Sequence, residues 1–255
     1  MLLENKTAIV YGGAGAIGSA VARAYAREGA NVHLAGRTID SLERVAEAIR
    51  DAGGTAEIAE VDVLNQAAIE RHTAGIVAAR HGIDVCFNAT SNDDIQGRTV
   101  LDMRFEELMQ PVTKSLTAHF NIATTVARHM AHGTGGVILV MAGGREAIPR
   151  LGGAHVAWAA LAGLSRQLAA DLGPHGIRVV WLLSPGSPGL ADHDQPPAEL
   201  VDGPRLHAAP GTNGLLPRHQ PTYEEVADIA AFIASSSART MTATEINLTG
   251  GAVID

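Results

Sequence analysis

The chain has 255 residues, is 46% hydrophobic and carries a formal net charge of −8 at pH 7, enough for one sizeable core in a single α/β domain. Two lysines (Lys6 and Lys114) against 17 arginines, with no basic stretch, argue against nucleic acid as a partner, and no apolar run is long enough to span a bilayer. The one cysteine, Cys86, lies in an apolar run and reads as a buried thiol suited to a reducing cytoplasm, and the eleven scattered histidines lack metal-ligand spacing.

An apolar β run over 8–11 breaks into four glycines among the seven residues 12–18. A helical pattern follows at once, with Ile17, Ala20, Val21 and Ala24 at the 3.6-residue period and Gly29 as its left-handed cap. A strand feeding a glycine turn that opens a helix is a phosphate-binding device. The glycines let the backbone approach a pyrophosphate, and the helix N-terminus offers N–H groups and a favourable dipole. Gly13-x-Gly15-x-x-Gly18 alone also fits a plain structural turn; the strand before it, the helix after it and a second strand over 31–35 favour a nucleotide.

The alternation continues. A helix carries Leu42, Val45, Ala46 and Ile49 on one face, and strand and helix patterns follow over 57–63 and 69–79. A short strand is expected over 83–87, then a long helical zone over 105–132, interrupted near Pro111. Strands over 137–141, 177–183 and 245–248 are separated by helices over 153–172 and 224–235. Uninterrupted Val/Ile/Leu strands in such alternation predict a Rossmann-like, doubly wound parallel sheet of about seven strands with helices on both faces. Residues 185–221 break the rhythm, holding eight of the eleven prolines. They read as a lid over a small-molecule ligand or as a disordered loop.

In this order the motifs resemble those of the short-chain dehydrogenase/reductase family over nearly the whole chain. Tyr11, Gly12, Ala16, Ile17 and Gly18, with Ala14 and Gly15 between them, are similar to the family's glycine turn, Ala16 replacing its middle glycine. Asp62 and Val63 resemble the pair that holds the adenine, Asn88 and Ala89 the start of Asn-Asn-Ala-Gly, Pro185 and Gly186 the Pro-Gly after the sixth strand, and Thr249-Gly250-Gly251 the closing Asp-Gly-Gly. The resemblance implies a nicotinamide dinucleotide bound by these residues, and dimers or tetramers built on the two long helices.

At the end of the second strand, NAD-specific relatives carry an acidic residue. Here Gly36 is followed by Arg37, a guanidinium suited to a 2′-phosphate, which favours NADP(H) over NAD(H); the alternative is a solvated arginine at a helix start.

The resemblance fails at the reacting end. The family's chemistry uses Ser, Tyr-x-x-x-Lys and a helical Asn, the tyrosine serving as general acid or base. Those positions fall here on Ala142, Ala157, Leu161 and Ser115, and a threonine that often follows Pro-Gly becomes Leu190. No Ser, Thr, Tyr or Lys occurs from Gly135 through Leu164. His155 is a residue type suited to proton transfer, but two residues before Ala157 it lies about 200° around the helix, facing away. Trp158, about 100° off, walls the pocket or packs in the core, and Arg145 and Glu146 bind an anion or form a solvated pair. Catalytic residues stay unassigned. Three readings follow: an NADP(H)-dependent oxidoreductase without the tyrosine acid, a non-catalytic nucleotide-binding regulator or silent subunit, and a non-redox enzyme on the same scaffold.

Overall fold

The computed structural model describes residues 1–144, 149–183 and 221–251. Seven parallel strands form one sheet: β1 (Thr7–Tyr11), β2 (Asn31–Gly36), β3 (Thr55–Glu60), β4 (Val85–Asn88), β5 (Gly136–Ala142), β6 (Ile177–Leu183) and β7 (Thr244–Asn247). Their order is β3-β2-β1-β4-β5-β6-β7, so the direction of winding reverses between β1 and β4. Six helices connect them: α1 (Ala16–Arg27), α2 (Ile39–Asp51), α3 (Gln66–Arg80), α4 (Phe105–Ala131), α5 (Ala154–Leu172) and α6 (Tyr223–Ala234).

The inner strands β1, β4, β5 and β6 are buried on both sides, which is why they read as largely apolar runs, whereas the edge strands β3 and β7 are only partly covered. One core joins Val10, Val32 and Leu139 to the inner faces of α1, α2 and α6; the other joins Ile9, Ile138 and Val179 to α3, α4 and α5. Register follows this burial: Ala8 pairs with Val32 on one side and Val85 on the other, which brings Gly12, Arg37 and Ala89 out at the same edge.

Two expectations are corrected. The third strand ends at Glu60 rather than 63, because Asp62 Oδ1 accepts from the Leu64 amide (3.0 Å) and turns the chain toward Asn65, the cap of α3. α4 runs unbroken through Pro111. Proline costs a helix one hydrogen bond, but Pro111 is buried here at the seam with α5. A Cβ at Gly153 would lie 2.0 Å from the Leu108 carbonyl oxygen and 2.7 Å from Pro111 Cγ. The start of α5 thus packs closely against α4 at the proline. Cys86 is wholly buried, its thiol pKa pushed up by desolvation, as a core thiol requires.

Candidate functional site

The loops that leave the C-terminal ends of β1, β2 and β4 meet at the reversal point, where open α/β sheets form their ligand crevice. The turn after β1 is built by contact. Gly12 sits at φ +78°, and a Cβ there would lie 2.6 Å from the Ala89 carbonyl oxygen; a Cβ at Gly18 would lie 2.2 Å from the Gly12 carbonyl oxygen. Any other residue would push the turn away from β4 or lift α1 off the turn. α1 begins at Ala16 with Gly15 as its N-cap, and no side chain caps it or places an acid in its first turn. Ala14, Gly15 and Ala16 are exposed on the rim and Ile17 is half-buried. Exposed, uncapped N–H groups at a helix start accept an anion.

The β4 side of the crevice is held by Asn88. Its Oδ1 accepts from the Thr90 amide (3.0 Å) and hydroxyl (2.7 Å), fixing Ala89 against Gly12. On the β3 side, Asp62 is exposed past the strand end while Val63 is buried, and Asn121 of α4 donates to the Val63 carbonyl (3.2 Å). Arg37 is exposed directly after β2. The residues present fit a dinucleotide: a glycine cradle for the pyrophosphate, a carboxylate and an apolar side chain for the adenine, and a cation beside its ribose. Pro185, Gly186, Leu190, Arg145 and Glu146, with the stretch 185–220, lie outside the described residues.

The positions expected at the reacting end lie on α4, α5 and the end of β5. Ala157 and Leu161 lie one turn apart and are buried, Ser115 is buried on α4, and Ala142 ends β5. A second stripe of α5 faces elsewhere. His155, Trp158, Ala162 and Arg166 line a cavity of about 210 Å³ with Ala142 and Glu245. His155 does face away from Ala157, but it faces a cavity onto which Ala142 opens. Trp158 walls that cavity: a Cβ on Gly143 would lie 2.0 Å from its ring. The Arg166 guanidinium lies 5.1 Å from the Trp181 ring centroid, and Trp181 Nε1 donates to Glu245 (2.7 Å).

Arg166, Trp181 and Glu245 come from three separate elements, and no spacing in the sequence links them. The ion pair of Lys114 on α4 with Asp93 in the loop after β4 likewise joins elements that no sequence spacing links. Among the described residues there is no group of His, Cys, Asp or Glu able to hold a metal. No helix among them is long and apolar enough to cross a membrane.

Comparison with known proteins agrees with this architecture. A family model described as enoyl-(acyl carrier protein) reductase matches residues 12–253. The chain is 30% identical over 253 residues to an uncharacterized oxidoreductase, YxbG, of Bacillus subtilis, covering 98% of this chain and 91% of that one. It is 28% identical to the 3-oxoacyl-[acyl-carrier-protein] reductase FabG of Chlamydia trachomatis over 98% of each. A crystal structure of a short-chain dehydrogenase/reductase from Mycobacterium marinum superposes with a TM-score of 0.84 at 26% identity, covering 99% of this chain and 97% of that one. The chain belongs to the short-chain dehydrogenase/reductase family. Its fold is that of an oxidoreductase of this family, and membership implies a nicotinamide dinucleotide as cofactor.

Proposed function

We propose that the protein is an NADP(H)-dependent oxidoreductase that works without the family's serine, tyrosine and lysine. The observation that carries this is the meeting, at one sheet edge, of the uncapped start of α1 and the exposed Arg37 after β2. The first suits the pyrophosphate; the second suits a 2′-phosphate, which a guanidinium binds in a two-pronged geometry.

The bound cofactor supplies or accepts a hydride; the chain positions the acceptor and keeps water away. Ala142, Ala157 and Leu161 place no proton donor at the reacting edge, so the proton comes from water or from the substrate. Loss of a positioned acid costs about 10²- to 10⁴-fold in rate, which a reactive acceptor tolerates. Trp158 and Ala142 offer that acceptor an apolar wall, and Arg166 and Glu245 offer it polar ends.

The protein acts in the cytoplasm as a homo-oligomer joined through α4 and α5. Leu116, Phe120, Ala160 and Leu164 line an apolar groove between these helices, and Phe120 is 50% exposed. An exposed apolar groove of this kind suits a partner surface.

Calorimetric titration with NADPH and NADH tests the reading. Tight NADPH binding that weakens in Arg37→Ala is the expected result. No binding of either nucleotide at millimolar concentration overturns it.

A further inference from the structure

Glu245 turns a carboxylate inward from an edge strand. Val140, Trp181 and Glu245 form one cross-strand row, and Ala142, Leu183 and Asn247 form another, two residues nearer the C-terminal edge. Side chains two apart share a face, so Glu245 stands on the same side as Ala142, about 7 Å along the strand from it. That is the side covered by α5, since Ala142 and Trp181 pack with Ala162. Trp181 Nε1 donates to Glu245 Oε2 (2.7 Å), and the indole that makes this bond is 1% exposed. The Arg166 guanidinium lies over the same ring, 5.1 Å from its centroid. One buried indole thus holds an anion at its N–H edge and a cation at its face, and both ions line the cavity of about 210 Å³.

Among the described residues, the titratable groups that line this cavity are Glu245, Arg166 and His155; Trp158 walls it, and the rest are alanines and glycines. Arg166 is exposed and Glu245 half-buried. The ligand that complements this set is small and zwitterionic. It carries a positive group for Glu245, a carboxylate for Arg166, and an apolar body against Trp158, whose ring face also attracts a cation. A second constraint is chemical. Ala142, Ala157 and Leu161 bring no proton donor to the reacting edge. A carbonyl reduced to an alcohol must gain a proton on oxygen, whereas an iminium cation needs only a hydride.

We propose that the acceptor is a small cyclic imino acid, an iminium cation bearing a carboxylate, with Glu245 as the counter-ion of its nitrogen and Arg166 as the partner of its carboxylate. This rests on the reading of the protein as an NADP(H)-dependent oxidoreductase. The iminium carbon gains a C–H bond by accepting the hydride, and the C=N π pair withdraws to nitrogen and cancels its charge. The imine is reduced, the dinucleotide is left oxidised, and no proton moves in that step. The product amine takes its proton from solvent afterwards. A carboxylate beside the nitrogen favours the protonated, reactive form of the imine.

The chain has two tryptophans, Trp158 in the cavity wall and Trp181 beneath it, so intrinsic fluorescence reports occupation of the cavity. The full chain is titrated with pipecolate, piperidine and cyclohexanecarboxylate, which share a six-membered ring and carry both charges, the positive one and the negative one. Wild type is expected to bind pipecolate most tightly. Glu245→Gln should weaken pipecolate and piperidine about tenfold, the worth of one charge-assisted contact, and spare cyclohexanecarboxylate. Arg166→Met should weaken pipecolate and cyclohexanecarboxylate and spare piperidine. Glu245→Asp should restore part of the loss, and circular dichroism checks that each variant is folded. With NADPH, the wild type should reduce Δ1-piperideine-2-carboxylate and not cyclohexanone, and His155→Phe should keep that turnover.

Equal binding of the three compounds by wild type would reduce the cavity to an unselective apolar hollow and overturn the proposal, whether or not the variants fold. So would aggregation of Glu245→Gln with unchanged affinities, which would make the carboxylate only a guard of the edge strand. Reduction of cyclohexanone as fast as the imine, or loss of imine turnover in His155→Phe with binding intact, would show that a proton is delivered and overturn it as well. If NADPH binds and none of the three compounds does at millimolar concentration, this inference alone fails. If neither nucleotide binds, the redox reading fails and the hydride step falls with it, while the pipecolate titration still decides the ligand site.

Discussion

His119 of α4 and Ser165 of α5 meet at the centre of the helix seam, Oγ and Nε2 3.4 Å apart, both side chains wholly buried. Desolvation lowers the His119 pKa to about 4. The folded protein therefore keeps this imidazole neutral at a pH where the unfolded chain, near the ordinary value of about 6.5, binds a proton. The unfolded state binds more protons between those two values, so stability is full above about pH 6.5 and falls as pH drops toward 4. The loss is about 3 kcal/mol for His119, and His72, also lowered to about 4 by burial, adds to it. Urea unfolding at pH 7.5 and pH 5 should show the drop, and His119→Gln should reduce the difference between the two.

Gly18 of the first turn and Gly75 of α3 should respond to alanine in opposite ways. Gly18→Ala drives a methyl into the Gly12 carbonyl at 2.2 Å, with backbone on both sides and nothing free to move. It should cost about 2–4 kcal/mol and abolish nucleotide binding. Gly75, inside α3, has nothing within 4 Å of a new Cβ. Gly75→Ala should stabilise by about 0.5–1 kcal/mol through the unfolded chain and leave binding unchanged. Thermal melts with and without NADPH separate the two.

Reinstalling the family's acid should fail as a simple graft. Ala157 has no exposed surface. A phenol there must displace α5 or β5, so Ala157→Tyr is expected to destabilise by about 1–3 kcal/mol or more and to confer no NADPH-dependent carbonyl reduction. Rapid turnover of a simple ketone by Ala157→Tyr, Leu161→Lys with an unchanged melting temperature would contradict the proposed chemistry.

The groove between α4 and α5 gives an assembly test. Phe120→Glu places a charge on the apolar strip shared with Leu116 and Leu164. Light scattering after size-exclusion should show a smaller species than wild type, with the fold intact by circular dichroism. A wild type that elutes as a monomer rules out this interface.

The cofactor half of the molecule was legible in the sequence because its parts are local. A glycine turn, the helix it opens and the residue after the next strand lie within 26 residues, from Gly12 to Arg37. Strand edges were less legible: Asp62 stops β3 through a side-chain turn that apolar patterning does not register. Pro111 was read as a break because the residue packed on it, Gly153, lies 42 positions away. The Trp181–Glu245 bond and the Lys114–Asp93 pair span 64 and 21 positions, and no helical or strand period connects such partners. What long-range packing decides, periodicity cannot foretell.

The place of β1 between β2 and β4 has a consequence for synthesis. Its partners β2 and β4 and the edge strand β3 all lie within the first 88 residues, whereas the strands and helix around the Trp158 cavity come after residue 135. As the chain leaves the ribosome, the four strands around the glycine turn are complete before any part of β5, α5 or β6 has been made. Strands β1 to β4 can therefore find one another while β5, β6 and β7 are still unmade, and the later strands extend the sheet from the β4 edge outward.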